Sequence, residues 1–169
     1  MTEHEKFGDI VITPNRDYYR DISEKLMSSL KYSVEQGVDY ILKTDDEYCI
    51  DINVAKRLIT EARSKDPNNE IYMGHNLFDG TEYSSMKGAD GTIAPFMSGW
   101  VLGVSYNLAS TIVQEDWVHS MMVAHYGTSS DDANLGKWVD WAGRKHNLTV
   151  DYVTDHKLYI EIPESNTTE

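Results

Sequence analysis

The stretch Tyr40-Ile41-Leu42-Lys43-Thr44-Asp45-Asp46-Glu47 is a short apolar run that ends abruptly in three consecutive acids. With Val38-Asp39 in front of it, the run has the length and composition of a buried strand. Working upstream, Ile22, Leu26, Leu30 and Val34 recur every four residues, Tyr18 and Tyr19 lead the pattern and Gly37 closes it. That periodicity predicts an amphipathic helix of about 20 residues. Before it, Gly8-Asp9-Ile10-Val11-Ile12-Thr13 is a β-branched run closed by Pro14-Asn15, so another buried strand entering a turn is expected. Strand, helix and strand in this order predict a βαβ unit with parallel strands and a right-handed crossover. Ligands of open α/β sheets bind at the C-terminal ends of such strands, which is where Asp45, Asp46 and Glu47 stand.

Downstream, Val54, Leu58, Ile59 and Ala62 predict a helix over residues 53–64, and Glu70-Ile71-Tyr72-Met73-Gly74 a strand. Residues 75–95, with Gly80, Gly88, Gly91 and Pro95 among polar neighbours, read as a long surface loop of the kind that carries binding. A strand over 99–105, a short helix over 106–113, a helix over 131–145 and a strand over 148–153 follow. The helix over 131–145 places Leu135, Trp138, Val139 and Ala142 on one face, with Asp131 or Asp132 near its start, where the helix dipole favours carboxylates. The expectation is a single α/β domain over residues 1–162, a mixed sheet flanked by helices, and a polar tail over 163–169.

Composition narrows the function. The chain has 169 residues, 15 Lys+Arg against 28 Asp+Glu and a formal net charge of −13, while 4 Trp, 11 Tyr and 3 Phe supply bulky core side chains. No cluster of basic residues appears, which excludes a phosphate-backbone reader of nucleic acid and a binder of anionic membrane surfaces. An anionic ligand such as a nucleoside diphosphate would need a bound cation to bridge two negative partners. The single Cys49 forms no intrachain disulfide and no zinc site; it reads as a small core residue, since no base is placed beside it by any motif. No membrane segment is present, because no run approaches the roughly 18 apolar residues that a bilayer demands, and the charged N-terminus lacks a signal-peptide core. The tripeptides Asn147-Leu-Thr149 and Asn166-Thr-Thr168 would accept glycans only in a secretory compartment.

Three adjacent carboxylates repel one another, so the turn at 45–47 is either a solvated acidic turn or a site for a compensating cation; all-oxygen donors suit Mg²⁺ or Mn²⁺. An EF-hand loop is excluded, because its sixth position would be Ile50 in place of Gly and its twelfth Lys56 in place of Glu. Asp131-Asp132 is either a helix cap or an acid–base pair. His156 follows a strand and is by itself structural or solvated.

Together these residues resemble the beta-1,3-galactosyltransferase and Fringe-like glycosyltransferases. Four landmarks occur in order: Phe7-Gly8-Asp9-Ile10-Val11 with Asp17-Tyr18-Tyr19; Tyr40 to Glu47, similar to a strand ending Lys-Thr-Asp-Asp-Asp; Ala94-Pro95-Phe96-Met97-Ser98-Gly99-Trp100-Val101-Leu102-Gly103; and Asp131-Asp132 with Gly136. The resemblance implies a GT-A-like fold and transfer of a sugar, of galactose or N-acetylglucosamine type, from a UDP donor to an acceptor hydroxyl with inversion. It implies Mn²⁺ or Mg²⁺ on Asp45, Asp46, Glu47 and His156, Lys43 with Asp45 and Asp46 on the donor side, and Asp132 as the base. It places Pro95, Gly99, Trp100 and Asp131 toward the acceptor, which would be a glycan or glycoprotein, in the Golgi lumen. Trp100 and Trp138 could stack on sugar, but each sits on an apolar stretch and reads as core.

This chain differs from the family pattern at Glu47, where the third acid is usually Asp, at Gly103, where Ser is usual, and over residues 117–126. Family members carry a further strand–helix–strand portion before the Gly-Asp-Ile strand, so the fold is expected to be incomplete at its N-terminus. An open sheet edge would then invite pairing between copies. Two rivals stand beside the transferase: a non-catalytic relative that binds a glycan or a protein partner, and a cation-binding domain without a sugar ligand.

Overall fold

The computed structural model describes residues 6–15, 18, 21–79, 94–115 and 130–161. Among the described residues, four helices flank a four-stranded sheet: α1 (Ile22–Glu35), α2 (Ile52–Lys65), α3 (Tyr106–Val113) and α4 (Asp131–His146). The sheet runs in the order β1 (Tyr40–Thr44), β6 (Val101–Ser105), β3 (Glu70–Gly74), β7 (Val150–Thr154). Two short hairpin-like pairs stand apart from it: β2 (Tyr48–Ile50) with β8 (Tyr159–Glu161), and β4 (Leu77–Phe78) with β5 (Phe96–Met97). Strand β6 is antiparallel to both neighbours, with Tyr40 opposite Ser105 and Tyr72 opposite Val104, whereas β3 and β7 are parallel. Consequently β1, β3 and β7 all end at one edge of the sheet, and the reversed β6 begins there.

Alternation along the central strands builds the layers. Tyr72, Leu102 and Val104 point to one face, against Leu26 and Leu30 of α1, Leu108 and Ile112 of α3, and Leu135, Trp138 and Val139 of α4. Ile71, Met73 and Val101 point to the other face, against Ala55, Leu58 and Ala62 of α2. With both faces covered, β3 and β6 are buried throughout, and their interiors are apolar. This three-layer mixed α/β arrangement is GT-A-like.

Local chemistry sets the ends of the elements. Gly37, at φ 68°, adopts the left-handed conformation that stops α1. Asp51 caps α2, its Oδ1 accepting from the amides of Asn53 (2.9 Å) and Val54 (3.2 Å). Asn147 closes α4 at φ 53°, after a last turn holding Arg144, Lys145 and His146. Among the described residues no helix is long and apolar enough to cross a membrane.

Several expectations are corrected. Residues 8–13 form no strand; Ile10, Val11 and Ile12 lie on the surface, Ile12 at 82% exposure. The parallel βαβ unit is therefore not formed, and the partner of β1 is the antiparallel β6. β-branching makes a residue fit for a pleated surface, but a strand also needs a paired neighbour, and residues 8–13 pair with no strand among the described residues. Helix α1 has 14 residues, fewer than the periodicity suggested. Cys49 lies on the exposed side of β2 and is no core residue. Residues 16–17, 19–20, 80–93, 116–129 and 162–169, and with them Asp17, Tyr19, the loop glycines, the 117–126 segment, the tail and the second sequon, lie outside the described residues.

Candidate active site

The edge where β1, β3 and β7 end gathers most of the candidate residues, and Lys43 is its hub. As the penultimate residue of β1, it reaches Asp45 Oδ1 at 2.5 Å, the carbonyl oxygen of Gly99 at 2.8 Å and Asp131 Oδ2 at 3.1 Å. One ammonium thus ties the acidic turn after β1, the turn before β6 and the start of α4. The backbone repeats the link: the Asp45 amide donates to the Trp100 carbonyl at 3.3 Å, and the Thr44 hydroxyl lies 3.2 Å from the same oxygen.

Asp132 sits on the other side of Gly99. A Cβ at position 99 would stand 3.2 Å from Asp132 Oδ2, so Gly99 leaves the room this carboxylate occupies. Asp132 Oδ1 also accepts from Ser130 Oγ and from the amide of Ala133 at 2.6 Å. The N-cap residue of α4 is Ser130, whose side chain makes no capping hydrogen bond, and Asp131 and Asp132 stand in the first turn. Helix α4 is drawn close by Gly136, where an added Cβ would meet the Pro95 carbonyl oxygen at 2.7 Å. Pro95 therefore packs on α4, beneath the turn that holds Gly99.

Electrostatics divide the two aspartates. Burial pushes the Asp131 carboxyl above its ordinary range, and the charge of Lys43 offsets this only in part. Burial pulls Lys43 down, yet its hydrogen bond to Asp45 and the charge of Asp131 more than reverse that, leaving it raised. Lys43 has three oxygen partners, whereas the deeper Asp131 has the lysine and the backbone amide of Asp132. Tyr72, fully buried with Asp131 and Asp132 nearby, is held well above its ordinary value by desolvation, and its hydroxyl accepts the Met97 amide at 3.0 Å.

Asp46 and Glu47 are exposed on the turn, and His156 has a side chain 81% exposed with Nδ1 3.7 Å from Asp155 Oδ1. The carboxylate and imidazole donors suit a hard divalent cation, and five carboxylates face one ammonium in this region, a surplus that an anionic ligand would need neutralised. Among the described residues, however, no three His, Cys, Asp or Glu side chains converge on one point. His156 is thus not brought to the acids by this arrangement.

Two expectations about aromatic residues part company here. Trp138 is fully buried. Trp100, by contrast, is 39% exposed and belongs to a cluster that pattern reading missed. It stacks on Tyr48 with centroids 5.3 Å apart, tilts against His75 at 5.0 Å and meets Tyr159 edge-on at 5.4 Å. His75 also stacks on Tyr159 at 4.8 Å. Burial, and then the charge of His156, hold His75 below its ordinary value, and its Nδ1 is buried without a hydrogen-bond partner. His75 follows the C-terminal end of β3, the same positional signal that singled out His156 after β7.

Comparison with known proteins finds relatives of this chain. The family model described as Galactosyltransferase matches residues 1–147. A hydroxyproline O-galactosyltransferase of Arabidopsis thaliana is 24% identical over 180 residues, covering 91% of this chain and 25% of its own length. A UDP-GalNAc:beta-1,3-N-acetylgalactosaminyltransferase of Xenopus laevis is 24% identical over 143 residues, covering 83% of this chain and 29% of its own length. The chain thus spans between a quarter and a third of the length of these relatives.

Proposed function

The chain belongs to the galactosyltransferase family, and we propose on that footing that its sheet edge transfers a sugar from a UDP donor to an acceptor hydroxyl with beta-1,3-type inversion. The observation that carries this reading is the Lys43 clasp, which joins the acidic turn at 45–47 to the Asp131-Asp132 start of α4 across Gly99. In the proposed division of labour, the donor lies toward Asp45, Asp46 and Glu47 and the acceptor toward Gly99 and Asp132. The acceptor oxygen attacks the anomeric carbon, the bond from that carbon to the diphosphate oxygen breaks, and UDP leaves with the electron pair. Asp132 Oδ2, on the Gly99 side, takes the acceptor's proton. Asp131 and Lys43 position this apparatus and keep its charges paired. Asp45, Asp46 and Glu47, with His156, would hold Mn²⁺ or Mg²⁺, which when bound would neutralise the diphosphate and stabilise the leaving group. A Golgi lumen setting belongs to the same proposal.

A second reading, a sugar-binding relative that performs no transfer, is favoured by one observation: the metal donors do not converge. Calorimetric titration of UDP into the full chain, with Mn²⁺ and then with EDTA, separates the two. Binding that requires Mn²⁺, followed by transfer from a panel of UDP-sugars, is the expected result. No UDP binding by a folded sample in either condition would overturn the transferase, and binding that survives EDTA would overturn the metal's part in it.

A further inference from the structure

We propose that Asn147 is an N-glycosylation site, its side-chain amide taking an oligosaccharide from a lipid-linked diphosphate donor in a secretory compartment. The compartment rests on the Golgi setting proposed above; the choice of residue rests on the fold. Asn147 and Thr149 are the outer members of an Asn-x-Thr tripeptide that forms the connection between α4 and β7. Both are exposed. Leu148 between them is partly buried against the main core, and its amide donates to the Gly143 carbonyl at 2.9 Å. One inward residue on a fixed connection thus leaves its two neighbours facing solvent. Among the described residues, neither the Asn147 side-chain amide nor the Thr149 hydroxyl makes a hydrogen bond.

Asn147 alone has a simpler account. It closes α4 at φ 53°, a left-handed conformation that Asn tolerates better than most residues. Glycine meets that demand at least as well, and the helix stop asks nothing of position 149. Thr149 offers its carbonyl oxygen to the Glu70 amide at 2.8 Å, a bond that any backbone supplies. Its hydroxyl is required by the tripeptide and by no contact among the described residues. Position makes a glycan compatible with the chemistry proposed above. Helix α4 starts at Asp131, and its 16 residues, at about 1.5 Å each, carry the chain about 24 Å from the candidate site to Asn147. The glycan therefore stands where β3 and β7 begin and leaves the edge with Lys43 and Asp132 open. In the transfer, Asn147 Nδ2 bonds to the anomeric carbon of the oligosaccharide and gives up one proton to the catalysing enzyme. The bond from that carbon to the lipid diphosphate oxygen breaks, and the lipid diphosphate leaves with the electron pair.

The test places the full chain behind a cleavable signal sequence in cultured mammalian cells, so that entry into the secretory pathway is imposed and owes nothing to the transferase reading. The purified chain is treated with peptide N-glycosidase in H₂¹⁸O, which converts an occupied asparagine to labelled aspartate. Mass spectrometry then reads the peptide of Asn147 separately from that of Asn166. Label is expected at position 147. Thr149→Val should abolish it and Thr149→Ser should keep it. Asn147→Gly, which suits the positive φ, should remove it with the fold intact by circular dichroism. UDP affinity should agree within about twofold before and after the glycan is removed, because the two places are too far apart to couple; a larger change overturns the placement. A folded, secreted chain without label at 147 overturns the proposal, and so does label there that survives Thr149→Val. An occupied Asn147 in a chain that binds no UDP upholds this site and sinks the transferase reading; Mn²⁺-dependent UDP binding with Asn147 unoccupied does the reverse.

Discussion

Replacing Lys43 by Met keeps the length and apolar stem of the side chain and removes only the ammonium. Three oxygens lose a partner, and they do not suffer equally. Asp45 is 41% exposed and recovers water at little cost. Asp131 is 8% exposed, and the Gly99 carbonyl loses a donor at 2.8 Å. Leaving one member of a fully buried ion pair alone costs about 3–5 kcal/mol, whereas breaking an exposed pair costs about 0–1. Lys43 is 23% exposed and Asp131 nearly enclosed, which puts the expected loss between these limits. We expect about 3 kcal/mol at pH 7.5, read as a fall of about 1.5 M in the urea midpoint at a slope of about 2 kcal/mol per molar. The sign of the pH dependence follows from Asp131. Its folded pKa is already raised, and losing Lys43 raises it further above the unfolded value. The folded state then binds more protons than the unfolded state across that interval, so stability falls as pH rises through it. The deficit of the variant should therefore be smallest near pH 4 and grow toward neutrality. Asp131→Asn in the same chain removes the stranded charge, so the double variant should recover more than 1 kcal/mol over additivity. A Lys43→Met deficit under about 0.5 kcal/mol, a pH-independent deficit, or an additive double variant would each refute the clasp.

Other perturbations address the proposed chemistry and the packing beneath it. Asp132→Asn is expected to leave UDP affinity intact and lower the rate constant for transfer by about 10²- to 10⁴-fold; parallel loss of both would remove Asp132 from the role of base. Asp46→Asn should abolish the Mn²⁺-dependent part of UDP binding in calorimetry with the fold unchanged by circular dichroism. Gly136→Ala ought to gain about 1 kcal/mol from helix propensity, yet the Pro95 carbonyl oxygen would lie 2.7 Å from the new Cβ. Backbone cannot yield as a flexible side chain would, so a net loss of about 2 kcal/mol and a thermal midpoint lower by about 6 °C are expected.

What the sequence discloses here depends on whether a segment's partners are implied by the segment itself. Residues 70–74 and 101–105 are buried on both faces, and the apolar character of 71–73 and 101–104 follows from that burial, so pattern reading finds them. Residues 8–13 have a similar composition but a different fate, because β-branching states what a residue could pack against without supplying the neighbour. The pairs β2 with β8 and β4 with β5 span two or three residues each, too few for any period to register. Helix ends are set by local punctuation: Gly37 ends α1 as the sequence suggests, although α1 starts later than its periodicity implied, and Asp51 caps α2.

The same distinction governs the site. Position at a strand's C-terminal end points to Asp45, Asp46 and Glu47, and the start of a helix to Asp131 and Asp132, whereas Lys43 is singled out only by the resemblance. The strand-end rule notices His156 after β7, which the residues alone leave as structural or solvated and the resemblance assigns to the metal, and it passes over His75 after β3. Only packing separates them: His156 faces solvent beside Asp155, and His75 is enclosed by Tyr159 and Trp100. The two tryptophans diverge for a related reason. Trp138 has a helix period behind it, which fixes the face it presents, and the core follows. Trp100 stands in a turn, where apolar neighbours in sequence fix no direction at all, and the carbonyl bond to the Asp45 amide sets its place. Residues whose direction is set by tertiary bonds are the ones a linear pattern misplaces, and in this fold they lie around the edge where ligand chemistry is proposed.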